Sequence, residues 1–163
     1  MENASKALLM AAGVLIAVLI LSLAVYLFMS FGAESADFHK QMENDRLNQF
    51  NSQFTTYEGK EGITIYDVMT AVNLARDNNS YYDLTTASNS NYYVTVNFIK
   101  PGISGSNMEK KTDEQLQEIL QQENLNSEVE DDGETAQRLP EYTCSTQLNS
   151  VTGRVNVVTF RPK

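Results

Sequence analysis

The chain carries one cysteine, Cys144, and one histidine, His39. A thiol nucleophile needs a base within hydrogen-bond reach. His39 lies just past an apolar run near the N-terminus, whereas Cys144 sits in an alternating pattern far along the chain. The expectation is a small buried thiol and a polar-face histidine rather than a catalytic pair. One cysteine excludes an intramolecular disulfide. One His with one Cys excludes a His/Cys-rich zinc site.

Three other stretches have the residue types for chemistry. Glu128-Val129-Glu130-Asp131-Asp132-Gly133-Glu134 offers oxygen donors of the kind that hold Ca²⁺. It lacks the spaced Asp/Asn pattern of an EF-hand loop, so a solvated acidic loop is expected. Lys100-Pro101-Gly102-Ile103-Ser104-Gly105-Ser106 is glycine-rich, but it has no Gly-Lys-Ser/Thr ending and no helix directly after it; it reads as a connector, not a phosphate cradle. Tyr81, Tyr82, Tyr92 and Tyr93 supply contact area with polar tips, the chemistry of a surface for a peptide or a glycan. The plainer expectation for them is half-buried sheet positions. Asp67 is expected to be a helix-cap carboxylate rather than a ligand or acid. No catalytic, cofactor-binding or metal-ligating residue is assigned, no cofactor is implied, and an enzyme is not expected.

Charge narrows the partners. The 163 residues include 12 Lys+Arg against 21 Asp+Glu, a net charge of −9. A chain this acidic lacks the basic footprint of a nucleic-acid binder. Glu2 and Lys6 cancel, so the whole excess falls beyond the apolar run.

That run is the dominant element. No charged residue occurs from Ala7 to Ala33. A helix rises about 1.5 Å per residue and a bilayer core is about 30 Å thick, so about 20 apolar residues suffice to cross it. Tyr26, Phe28 and Phe31 lie where an interfacial aromatic belt would sit. A cleaved signal peptide has a shorter apolar region of about 7–15 residues and a small-x-small site. Here Phe31 or Glu34 occupies a position where a small residue is wanted. The expectation is an uncleaved anchor over residues 1–33 and a soluble domain over 34–163. Lys6, Lys40 and Arg46 do not decide the orientation. The short N-terminal tail and the Lys-poor, Asn/Ser/Thr/Tyr-rich remainder place the C-terminal domain outside the cytoplasm. Ala11, Ala12, Gly13 and Ala17 are small enough for close helix packing in a membrane.

The helix is expected to run on. From Glu34 to about Tyr57 there is no Gly or Pro, and Leu47, Phe50, Phe54 and Tyr57 form a stripe. Phe38 and Met42 extend that stripe loosely, and Gly32 is a place for a kink. A second helix begins at Thr64, with Thr64-x-x-Asp67 as a capping box. Val94, Val96 and Phe98 alternate as in a strand. A third helix runs from about Asp113 to Glu123 after a cap signature at Thr112. The C-terminus reads as a hairpin: Tyr142, Cys144, Thr146 and Leu148 alternate, then Val155, Val157 and Thr159, around a turn that includes Gly153. The predicted class is α+β: a long N-terminal transmembrane-plus-amphipathic helix packed on a small antiparallel sheet, with two further helices.

This layout resembles a type IV pilin or pseudopilin. The resemblance lies in architecture. No Gly precedes the apolar run and no Glu lies within it, unlike the processed leader of that family. The stretches ENASKALLMAAGVLI and FNSQFTTYEGKEGITIYDVMTAVNLARDNN are also similar to small membrane-anchored proteins of Gram-positive anaerobes, a resemblance that implies no functional residue. The expected function is a structural or assembly role in the bacterial cell envelope, as a single-pass membrane protein. Its expected partners are the lipid bilayer, further copies of itself, and other envelope or pilus-assembly proteins. The alternative is a membrane-tethered binding module for a peptide or a glycan.

Overall fold

The protein is described from a computed structural model, covering residues 2–86, 90–100, 107–125, 128–129 and 137–163. Helix α1 spans Glu2–Thr55 and is a continuous 54-residue α-helix, with Gly32 inside it. Lys6 pairs with Glu2 one turn earlier at 2.9 Å. Its N-terminal part is long and apolar enough to cross a membrane, and its apolar window is not buried at all. Leu8, Leu15, Leu19, Leu23, Phe28 and Phe31 are all exposed. The chain divides into two compact units, Met1–Arg46 and Leu47–Lys163.

The second unit holds the core. Helices α2 (Ile65–Tyr81) and α3 (Asp113–Leu125) are both closed by their predicted caps. The Asp67 carboxylate accepts the Thr64 N–H at 2.9 Å. Gln115 and Thr112 make the reciprocal pair at the start of α3: the Thr112 N–H donates to Gln115 Oε1 at 3.0 Å, and the Gln115 N–H donates to Thr112 Oγ1 at 3.3 Å. These bonds satisfy amide groups that the first helical turn leaves without partners. Gly59 and Gly62 both take positive φ, so the chain can turn between α1 and α2 where a side chain would be strained.

The main sheet has three strands in the order β1-β5-β4, from β1 (Thr95–Phe98), β4 (Tyr142–Leu148) and β5 (Val155–Pro162). A separate two-stranded ribbon joins β2 (Glu128–Val129) to β3 (Gln137–Arg138). The α+β class and three helices match expectation. The hairpin β4–β5 is antiparallel, as its turn residues require. The expected all-antiparallel sheet is corrected to a mixed one, because β1 pairs with β5 in parallel, Thr95 opposite Val157 and Phe98 opposite Phe160. A parallel pair needs a long connection rather than a hairpin, and here α3 and the β2–β3 ribbon lie between β1 and β5 in the chain.

The alternation in β5 also differs from the simple reading. Leu148 pairs with Val155 and Gln147 with Val157, which leaves Asn156 as an extra residue. Such a bulge shifts the phase of the pleat by one position. Val155 therefore points inward with Val158 and Phe160, rather than with Val157 and Thr159 alone. The core joins these to Phe54, Ile63, Ile65, Val68, Val72, Val96, Phe98 and Tyr142. Phe98 meets the Tyr142 ring edge-on at 5.1 Å, and Tyr57 meets Phe160 at 6.0 Å.

Candidate functional site

The C-terminal end of α2, the turn at residues 90–92 and the β4–β5 turn converge on one side chain, Arg154. The hairpin turn is built by Asn149, whose side-chain oxygen accepts from the N–H groups of Val151 (2.9 Å) and Thr152 (3.0 Å). This is how an Asx turn closes. Gly153 then takes φ +67, a conformation an L side chain would strain. Asn51 of α1 fixes the next step. Its amide donates to the Gly153 carbonyl at 2.9 Å, and its oxygen accepts the Val155 N–H at 2.8 Å. The backbone of Arg154 is thus held on both sides by one side chain.

The guanidinium carbon of Arg154 lies over the Phe50 ring, 3.6 Å from its centre. It also faces Tyr92 at 5.2 Å and Tyr82 at 5.6 Å. A cation over aromatic faces at these distances is attracted by the ring quadrupole. Its Nη2 donates to Asn78 Oδ1 at 2.9 Å. Asn78 in turn donates to the Tyr92 carbonyl at 2.8 Å, which ties the 90–92 turn to α2. The neighbouring buried Asn79 makes two backbone bonds to Val94, both at 2.9 Å. Arg154 Nε is buried without a partner. Among the described residues no carboxylate pairs with Arg154.

Three tyrosines complete the surface. Tyr82 and Tyr92 lie 5.1 Å apart at 32°, and Tyr81 stands edge-on to Tyr82 at 4.9 Å. Tyr81 is 82% exposed, with Tyr82 and Tyr92 near 41% and 43%. The rim is polar: Asn149 Nδ2 reaches Asn91 Oδ1, and the Thr152 hydroxyl donates to the Asn91 carbonyl, each at 3.4 Å. An aromatic platform with amide and guanidinium groups can bind a ligand that has both apolar faces and polar groups.

The expectation of half-buried sheet positions for Tyr81, Tyr82, Tyr92 and Tyr93 is corrected: none lies in a strand, and three of the four share the exposed surface. Tyr93 instead turns inward, and its hydroxyl donates to Glu109 Oε1 at 3.0 Å. Burial first, then the charge of Glu109, pushes the Tyr93 hydroxyl well above its ordinary range. Successive residues on an extended chain point to opposite sides, which separates Tyr93 from Tyr92. Phe50 belongs to the expected stripe of α1. Arg154 has no signal in the sequence beyond following Gly153.

The remaining candidates lie elsewhere. Cys144 is half-buried in β4, and burial, followed by the charge of Glu58, pushes its thiol up to about 12. A thiol so held is protonated at neutral pH and a poor nucleophile. His39 is exposed on α1 in the first unit. Asp67 caps α2 and bonds Lys60 at 3.0 Å. Among the described residues no cluster of three His, Cys, Asp or Glu side chains can hold a metal ion. Residues 130–134 of the acidic run and 101–106 of the glycine-rich connector lie outside the described residues.

Two buried carboxylates were not singled out by sequence reasoning. Glu109, in the 3-10 turn Met108–Lys110, accepts the Val96 N–H at 2.9 Å as well as the Tyr93 hydroxyl. Glu123 of α3 is fully buried; its Oε2 accepts from Lys100 Nζ at 2.6 Å and from the Tyr142 hydroxyl, while Oε1 has no partner. Each joins the sheet to a neighbouring helical element. No protein-family model matches the chain, and no curated protein and no solved structure matches it either.

Proposed function

We infer that this is a single-pass, membrane-anchored protein of the bacterial cell envelope with a structural or assembly role. One observation carries the reading. None of the apolar window of α1 is buried, and an apolar surface of this length is the kind that lipid or other protein covers. A helix that serves as anchor while a mixed α+β unit follows it is also the plan of a pilin-like subunit, whose anchor helices pack together on assembly. The domain is placed outside the cytoplasm by the orientation argument from composition. Light scattering of the detergent-extracted protein, with electron microscopy of sheared cell material, tests the assembly role. Oligomers or filaments are expected. A strictly monomeric protein with nothing in the sheared fraction would contradict it.

A second reading has its own support. The exposed Tyr81–Tyr82–Tyr92 cluster around Arg154 favours a membrane-tethered binding module, in which α1 holds a recognition surface near the bilayer. Both readings keep the anchor and differ in what the second unit does.

A further inference from the structure

We propose that the Arg154–tyrosine surface binds a carboxylate-bearing saccharide. The proposal rests on the binding-module reading and names its ligand. Sugar rings present flat C–H faces that pack on aromatic rings, and their hydroxyls need donors and acceptors close by. Tyr81 and Tyr82 supply the ring faces. Asn91, Asn149 and Thr152 supply the polar rim.

Arg154 adds the preference for a negative ligand. Its Nη2 is engaged by Asn78 and its Nε is enclosed, whereas Nη1 makes no hydrogen bond among the described residues. In a chain with 21 Asp+Glu and 12 Lys+Arg, most cations have carboxylates to choose from. Among the described residues this one has aromatic rings and amides beside it instead. An incoming carboxylate would therefore meet a fixed, uncompensated donor rather than displace an internal partner. The guanidinium is already held by Phe50 and by Asn78, on a backbone fixed by the Asn51 clamp, so little side-chain freedom is lost on binding. A peptide that pairs by its extended backbone is the poorer fit, because the described surface is made of a helix end and two turns rather than a strand edge; a proline-rich peptide, which needs only aromatic faces, is the competitor to test.

The test uses the full chain in detergent micelles. With no Trp and three of the 8 Tyr on this surface, a change in tyrosine emission that is lost in Tyr81→Ala reports binding there. The probes are trigalacturonic acid, its fully methyl-esterified neutral form, and a proline-rich peptide. The acid is expected to bind at least about tenfold more tightly than the ester, the scale of one charge-assisted hydrogen bond. Arg154→Gln is expected to abolish that difference, and Arg154→Lys to restore part of it. Tyr81→Ala, at a highly exposed position, is expected to weaken both sugars without lowering the melting temperature. Equal binding of acid and ester, or a preference that survives Arg154→Gln, overturns the carboxylate claim while leaving the binding module standing. Binding of the peptide alone overturns the saccharide claim in the same way. If none of the three probes binds, both claims fail.

Discussion

Asp67 shows how a charged residue with catalytic potential is used up by structure. Burial pushes its carboxyl up. The Thr64 N–H and the Lys60 ammonium outweigh that and hold it below its ordinary value of 3.8. A carboxyl whose folded pKa is depressed contributes stability that is complete above the unfolded value and is lost as pH falls through the folded one. Asp67→Ala is therefore expected to cost about 1 kcal/mol at neutral pH, the usual scale for a lost cap. Thermal melts of both proteins from pH 7 to pH 2 check this. The gap in melting temperature should hold down to about pH 4 and close below it. A gap unchanged at pH 2 would mean that the charge contributes nothing. Glu109 is used up in the same manner, with both carboxylate oxygens bonded inside the fold.

At the scale of elements, Asn51 is the joint between α1 and the hairpin. Its side chain bonds the backbone on either side of Arg154 from 102 and 104 positions away. Asn51→Ala would leave a part-buried carbonyl and N–H without their partner, at a cost of roughly 1–3 kcal/mol. Asn51→Asp keeps the acceptor for Val155 and loses the donor to Gly153, so it should fall between. Denaturant unfolding of the full chain in detergent measures the order. If Asn51→Ala and the unmodified chain unfold at the same midpoint, the clamp is not a stabilising element. The Asn156 bulge belongs to this scale too, since it sets which residues of β5 reach the core.

For the whole molecule, legibility in the sequence followed the range of the interactions. The caps at Thr64 and Thr112, the hairpin turn at Gly153 and the helices are set by neighbours a few positions apart, and their patterns are readable. The parallel pairing of β1 with β5 is not, because a strand's own residues do not state which partner it takes. The Asn156 bulge hides for a related reason: alternation shows a period, not a dislocation within it. Three tyrosines of the candidate site were legible as a group. Arg154 was not, since Asn78 lies 76 positions away and Phe50 farther still. The apolar run was legible from composition alone, and none of its apolar window is buried.

Both functional readings depend on that uncovered run being a retained membrane anchor. The decisive measurement is mass-spectrometric peptide mapping of carbonate-washed membranes from cells producing the protein. The protein is expected to stay in the membrane fraction, with peptides from residues 1–33 recovered still joined to the chain beyond Ala33. Release of the protein into the wash, or a mature chain that starts after Ala33, would contradict the anchor.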